Sequence, residues 1–228
     1  ETDFAFKQAF AFCPYSPEAV YRYINFLLPQ GRFDDAILVA QTCLKLDPYN
    51  DSISGLVKNL QDYKKQNDER TQAMGQIGQM ENTARTNPND THNLITLGVT
   101  YAQMGQTNRA VEFFDQALAS TNLKYAEGEA AAQYMSQIGN LPKLETALEK
   151  LAQLAPAQPE NHYQLAALQA YLGQTGPALA NLKLALDLNA QQRKTNPAAS
   201  DLLSEARKDA HLNSLRSLPE FLKLVPPQ

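Results

Sequence analysis

Three histidines, His92, His162 and His211, and two cysteines, Cys13 and Cys43, are the residues best suited to metal binding or covalent chemistry in this chain. Their spacing argues against both uses. None of the histidines belongs to a His-Glu-x-x-His motif, and no Cys-x-x-Cys pair or Cys/His ligand spacing occurs, so no metal is expected. No Gly-x-Ser-x-Gly elbow, phosphate loop or dinucleotide fingerprint is present, and the acidic residues are scattered in the manner of solvating charges. The expectation is a protein with no catalytic residue and no cofactor. For Cys13 and Cys43 two readings stay open, a pair of small buried apolar residues or a disulfide between them.

Length and composition frame what else the 228 residues can be. At 43% hydrophobic and 19% charged, the chain is composed like a folded globular protein rather than a disordered tail. Its formal net charge is -4 and no segment gathers Lys or Arg, so the field that draws proteins to phosphate backbones is missing and nucleic acid is not an expected partner. The apolar run from Phe4 to Phe12 is short and broken by Lys7 and Gln8, well below the roughly 18–20 residues of a membrane span. No direct membrane insertion by this chain is expected.

What must position the functional surface is a repeat. Gly31, Gly105, Gly139 and Gly173 each precede a small or apolar residue by five positions (Ala36, Ala110, Leu144, Ala178), and the last three glycines are spaced by 34. Upstream of Gly105, Leu94, Leu97, Gly98 and Tyr101 recur at helical spacing; downstream, Ala110, Phe114 and Ala117 do the same. Each unit therefore reads as a helix hairpin in which the Gly ends the first helix in a left-handed conformation, with Pro142 and Pro177 near the start of second helices.

With these residues in place, the pattern resembles the tetratricopeptide repeat (TPR). Thr91 to Lys124 matches it at Leu94, Leu97, Gly98, Tyr101, Gly105, Ala110, Phe114 and Ala117, departing at the final Pro, where Asn122 stands. Pro17–Asn50 matches through Val20, Gly31, Ala36 and Pro48; Tyr125–Gln158 through Gly139, Leu148 and Pro156; Pro159–Gln192 through Leu165, Ala166, Gly173, Ala178 and Ala185. The resemblance implies an all-α fold, a TPR-type α-α superhelix in which antiparallel helix hairpins form a right-handed solenoid. It also implies a groove lined by first helices, at Glu18, Tyr21, Asn25 and Leu28; His92, Ile95, Val99 and Ala102; Ala126, Glu129, Gln133 and Ser136; and Glu160, Tyr163, Ala167 and Ala170. The candidate binding set is Tyr21, Asn25, Leu28, His92, Ile95, Val99, Glu129, Gln133, Tyr163 and Ala167. Tyrosines there suit stacking plus one hydrogen bond, and Ile95 with Val99 suits an apolar anchor, so the implied partner is a protein or peptide rather than a small molecule. The cationic clamp that some TPR domains use for C-terminal carboxylates is not expected, because Tyr21 takes the Lys place and Ala126 and Ala130 leave a later unit without cations.

The expected organisation is a half repeat plus one unit over 1–50, a long connecting helix or helix pair over 51–88, three units over 89–192, and capping helices over 193–228. Phe6, Ala9 and Pro14 fall where the end of a preceding unit would fall, so Glu1 to Cys13 reads as the second helix of a hairpin and the chain as the C-terminal part of a longer protein. Between Pro48 and Pro88 the spacing is 40 rather than 34, and no Gly or Pro interrupts Leu56 to Met74; one extended helix with a solvent-exposed polar centre is the favoured reading. Gly75 and Gly78 read as close-packing points. After Asn189, apolar residues from Leu202 to Leu224 read as a cap over the last hairpin, with Pro219 at a helix start and Pro226-Pro227 as the stop.

A second reading of function rests on wording. Residues 11–20 and 43–50 resemble the TPR tail of a bacterial multi-span membrane protein family with glycosyltransferase-like architecture, which implies an accessory tail without a ligand of its own. Compartment stays open between cytoplasm and periplasm, with a membrane tether through sequence before Glu1 as part of that reading.

Overall fold

The computed structural model describes residues 2–227, and among them all regular structure is helical, as the spacing requires. The helices are α1 (Thr2–Phe12), α2 (Pro17–Leu27), α3 (Phe33–Leu46), α4 (Asp51–Thr86), α5 (Thr91–Gln103), α6 (Thr107–Ala119), α7 (Tyr125–Gln137), α8 (Leu141–Leu154), α9 (Pro159–Tyr171), α10 (Thr175–Thr195), α11 (Leu202–Ala206) and α12 (Pro219–Leu224). Short 3-10 segments cover Leu28–Gln30 and Ala210–Leu215. The chain divides into two compact units, 1–78 and 79–228. Glu1, the first residue of the expected opening helix, lies outside the described residues.

The four aligned glycines close four hairpins by one device. Gly31, Gly105, Gly139 and Gly173 have φ of 72°, 71°, 67° and 77°, the left-handed region in which a Cβ is penalised. At Gly105 the following N–H, from Gln106, donates to the Tyr101 carbonyl at 2.9 Å while the glycine N–H donates to Ala102 at 3.0 Å. The paired bonds recur as Arg32 to Leu27 and Gly31 to Leu28, Asn140 to Met135 and Gly139 to Ser136, and Gln174 to Gln169 and Gly173 to Ala170. This is the Schellman arrangement, which satisfies the carbonyls a helix end leaves open.

In the first unit the apolar stripes of α2 (Val20, Tyr23, Ile24, Leu27), α3 (Ala36, Val39, Ala40, Cys43) and the start of α4 (Ile53, Val57, Leu60) meet in one core. Recurrence at three- and four-residue steps puts each set on one helix face. Phe6 and Phe10 of α1 pack against this core, Phe6 stacking on Tyr23 with ring centroids 5.9 Å apart. Both cysteines are free thiols; Cys43 is buried, but Cys13 is exposed in the turn after α1, which corrects the expectation of two buried residues or a disulfide.

Residues Asp51 to Thr86 form a single helix of 36 residues. No residue between Gln61 and Thr83 is buried, so this stretch has no apolar face to hold it. It is held by its own hydrogen bonds and by i,i+4 ion pairs, Lys64–Asp68 at 3.1 Å and Lys65–Glu69 at 4.0 Å, with Lys64 also 3.2 Å from Asp34 of α3. Gly75 and Gly78 are not close-packing points: a Cβ on either meets nothing within 4 Å. They sit on the exposed part of the helix, where no neighbour approaches.

The second unit stacks the hairpins α5/α6, α7/α8 and α9/α10. Close approach occurs here at Gly98, where a Cβ would lie 2.8 Å from the ring of fully buried Phe114, so α6 reaches α5 through the space a side chain would fill. The last hairpin is covered. Tyr163, Ala166 and Ala170 of α9 and Ala178, Leu182 and Ala185 of α10 share a core with Leu202, Ala206, Leu212, Leu215, Phe221 and Val225. Asn189, late in α10, pins the start of this cap: its amide donates to the Ser200 carbonyl at 2.9 Å and its Oδ1 accepts the Leu202 N–H at 3.2 Å.

The two kinds of helical glycine respond oppositely to alanine. Gly98→Ala is expected to destabilise the second unit by about 1–2 kcal/mol, the overpacking against Phe114 exceeding the gain in helix propensity. Gly75→Ala is expected to stabilise α4 by about 0.5–1 kcal/mol. Thermal denaturation followed by circular dichroism reads both; a stabilised Gly98→Ala would contradict the close approach.

Candidate functional site

In the second unit a cleft of about 1210 Å³ opens between α7 and α9, with α8 behind them and the 3-10 segment of the cap at one side. Its apolar lining comes from Ala132 of α7, Leu141, Leu144, Leu148 and Leu151 of α8, and Ala167 and Leu168 of α9. Around these stand Tyr125, Glu129, Gln133 and Ser136 of α7, Glu160, Asn161, Tyr163, Gln164 and Tyr171 of α9, and Asp209 and His211 of the cap. The repeat register explains this convergence: residues four apart on a first helix share one face, so Tyr125, Glu129 and Gln133, and Tyr163, Ala167 and Tyr171, form two facing rows.

On the α7 side, the Tyr125 hydroxyl donates to Asn161 Oδ1 at 2.7 Å. Asn161 is held in turn, its amide donating to the Leu151 carbonyl at 3.3 Å, which ties α9 to α8. Burial and then the charge of Glu129, with a smaller push from Glu160, raise the Tyr125 pKa above its ordinary value, so both carboxylates act on this hydroxyl. Glu129 is exposed and Glu160 half-buried.

On the cap side, the Tyr163 hydroxyl donates to Asp209 Oδ2 at 3.0 Å. The other oxygen of Asp209 accepts the His211 backbone N–H at 2.9 Å and lies 2.8 Å from the His211 ring Nδ1. Burial pushes the Asp209 carboxyl upward, but the His211 backbone N–H, the His211 ring and the Tyr163 hydroxyl together hold it below the usual carboxylate range. Burial, followed by the Asp209 charge, pushes the Tyr163 hydroxyl up. Tyr163 is only 9% exposed and its one donor is already used, so the stacking-plus-hydrogen-bond role expected of it is reduced to the ring edge it still presents.

Of the ten candidate residues, Glu129, Gln133, Tyr163 and Ala167 line this cleft. On α5, His92 and Val99 are exposed and Ile95 is buried at 8%, and none of the three is in the cleft lining. In the first unit Tyr21 and Asn25 are exposed on α2 and Leu28 is half-buried in the 3-10 turn that follows. Sequence reasoning missed Asp209, His211 and Tyr171. Asp209 stands in the cap, where no repeat register applies; the available signal was an Asp preceding a helical turn, since its side chain caps Ala210–Leu215.

The fold that presents this cleft is an all-α stack of helix hairpins, each turned on a left-handed glycine. The family profile described as "Tetratricopeptide repeat" matches residues 91–121, which comprise α5, the Gly105 turn and α6. One hairpin of the chain, α5/α6, is thus similar to the tetratricopeptide repeat. No curated protein matches it by sequence. Among solved structures it is similar to a MamA protein (17% identity, covering 80% of this chain and 96% of that one, TM-score 0.42). It is also similar to YrrB, a TPR protein with an unusual peptide-binding site (16% identity, 84% and 98% covered, TM-score 0.36). A third is a thermophilic TPR protein of Thermus thermophilus (18% identity, 88% and 99% covered, TM-score 0.33).

The lowered pKa of Asp209 has a sign that can be measured. A carboxylate whose folded pKa lies below its unfolded value adds stability at pH above the unfolded value, and that stability disappears as pH falls through the folded value. Wild type is therefore expected to lose more stability than Asp209→Asn as pH is lowered from neutral to below about 4. Urea denaturation at a series of pH values reads the difference, and parallel curves for the two proteins would contradict it.

Proposed function

We propose that the chain is a non-catalytic scaffold that binds a protein partner by holding an extended peptide or a helix in the cleft between α7 and α9. The observation that carries this reading is the cleft itself, at positions the repeat assigns to its groove and with a volume of about 1210 Å³. It is larger than the ~300–1,000 Å³ typical of small-molecule pockets, and its polar groups are strung along two helices instead of converging on one point. An elongated ligand with side chains at intervals matches that layout. The remaining candidates extend the same reading: Tyr21 and Asn25 on α2, Leu28 just after it, and His92 and Val99 on α5 offer side chains to a partner, while Ile95 supports α5 from within. The accessory-tail reading draws on the wording of residues 11–20 and 43–50 alone and gains no observation from the fold. No helix among the described residues is long and apolar enough to cross a membrane.

The test is selection of random dodecapeptides displayed on phage against the whole chain, followed by binding measurements on Ala167→Trp, which fills the cleft from a half-buried position on α9. Enriched peptides are expected to bind wild type with a Kd on the order of micromolar and to weaken at least about tenfold on Ala167→Trp. No enrichment, or peptides indifferent to Ala167→Trp, would overturn the proposal.

A further inference from the structure

Apart from His211, whose ring lies 2.8 Å from Asp209, the titratable charges lining the cleft are of one sign. Its lining contains three carboxylates, Glu129, Glu160 and Asp209, and no Lys or Arg. Elsewhere in the second unit four carboxylates pair with a Lys or Arg, Asp115 with Lys143 at 2.6 Å, Asp187 with Lys183 at 2.7 Å, Asp201 with Arg193 at 2.7 Å and Glu81 with Arg109, while others, Glu149 among them, have no such partner among the described residues. Glu129 and Glu160 have no such partner among the described residues, and they stand at the same end of the opening: Glu129 is one turn from Tyr125 on α7, and Glu160 adjoins Asn161, whose Oδ1 accepts the Tyr125 hydroxyl at 2.7 Å. Two like charges brought to one opening without a counter-ion are unfavourable in the free protein and become favourable when a cation arrives.

The kind of cation follows from the spacing. Among the described residues no three His, Cys, Asp or Glu side chains are grouped so as to hold a metal ion. The acidic groups are distributed instead, Glu129 and Glu160 on the Tyr125 side and Asp209 on the cap side, with the apolar surface of Leu144 and Ala167 also in the lining. Tyr171, 64% exposed at the cap side, offers a ring face that an ammonium or guanidinium can rest on.

Resting on the reading of the cleft as a peptide groove, we propose that its partner is a cationic segment, with one Lys or Arg set between Glu129 and Glu160, an apolar side chain against Leu144 and Ala167, and a second Lys or Arg beside Asp209 and Tyr171. The low dielectric of the cleft walls concentrates the field of the carboxylates along the path of the peptide, which favours basic segments in both encounter and residence.

The peptides enriched from the dodecapeptide library decide the matter. Their sequences are expected to be richer in Lys and Arg than the input library, and their affinity is expected to fall by about tenfold on the double variant Glu129→Gln, Glu160→Gln, roughly the sum of one exposed and one half-buried ion pair, and to fall further as salt is raised. Glu149→Gln, an exposed acid of α8 outside the lining, serves as the control and is expected to leave affinity within about twofold. If the enriched peptides are neutral or acidic, or keep their affinity on the double variant while losing it on Ala167→Trp, the cationic partner is overturned and the peptide groove stands. If nothing is enriched, or Ala167→Trp changes nothing, both fall. The two replaced carboxylates are outside the core, so circular dichroism is expected to be unchanged by their substitution.

Discussion

A helix cannot satisfy its own last carbonyls, and the hairpins of this protein all turn on how that constraint is met. At Gly31, Gly105, Gly139 and Gly173 the chain passes through positive φ and returns two N–H groups to the preceding turn. The reversal is completed within three residues at Gly105, Gly139 and Gly173 and within five at Gly31, where a 3-10 segment comes first, so the second helix folds back with its apolar stripe against the first. With the turn fixed, the residues available to face inward are fixed as well, and the cleft between α7 and α9 inherits its composition from the register. Were these turns longer or looser, facing rows such as Tyr125–Glu129–Gln133 and Tyr163–Ala167–Tyr171 would lose their alignment.

The converse case is α4. Its sequence spans a stretch somewhat longer than one repeat, with an apolar face at its start (Ile53, Val57, Leu60) and another buried residue at its end (Ala84), but no glycine stands at the position where a hairpin would turn. Lys64 to Thr71 consists largely of good helix formers and oppositely charged i,i+4 pairs, so continuing the helix satisfies every carbonyl that a turn would have left open. The single helix is the outcome of a missing turn signal rather than of a strong core, and its exposed central residues show as much.

Periodicity made the all-α fold legible, because a Gly at a fixed interval and apolar residues at helical spacing report local geometry directly. Four of the ten proposed groove residues meet in one cleft for the same reason: Glu129, Gln133, Tyr163 and Ala167 are placed by the repeat alone. What the sequence did not disclose depended on tertiary approach. Gly98 and Gly75 look alike in the chain, yet one is packed against Phe114 and the other faces open space, a difference that exists only once α6 is in place. Cys13 and Cys43 likewise occupy similar wording, and only the location of Cys13 beyond the end of α1 leaves it outside the core. Asp209 and His211 join the cleft from a segment with no repeat to predict where it would go.

That last arrangement makes the cap more than a lid over exposed apolar surface. By engaging the hydroxyl of Tyr163 through Asp209, it occupies the donor of a residue that the register offers to the cleft and supplies a carboxylate in exchange. The C-terminal segment thus changes what the neighbouring hairpin presents to the cleft, so a version shortened after α10 would present a tyrosine hydroxyl where the intact protein presents negative charge. The packing of the last hairpin and the charge beside the cleft are set by the same stretch of residues.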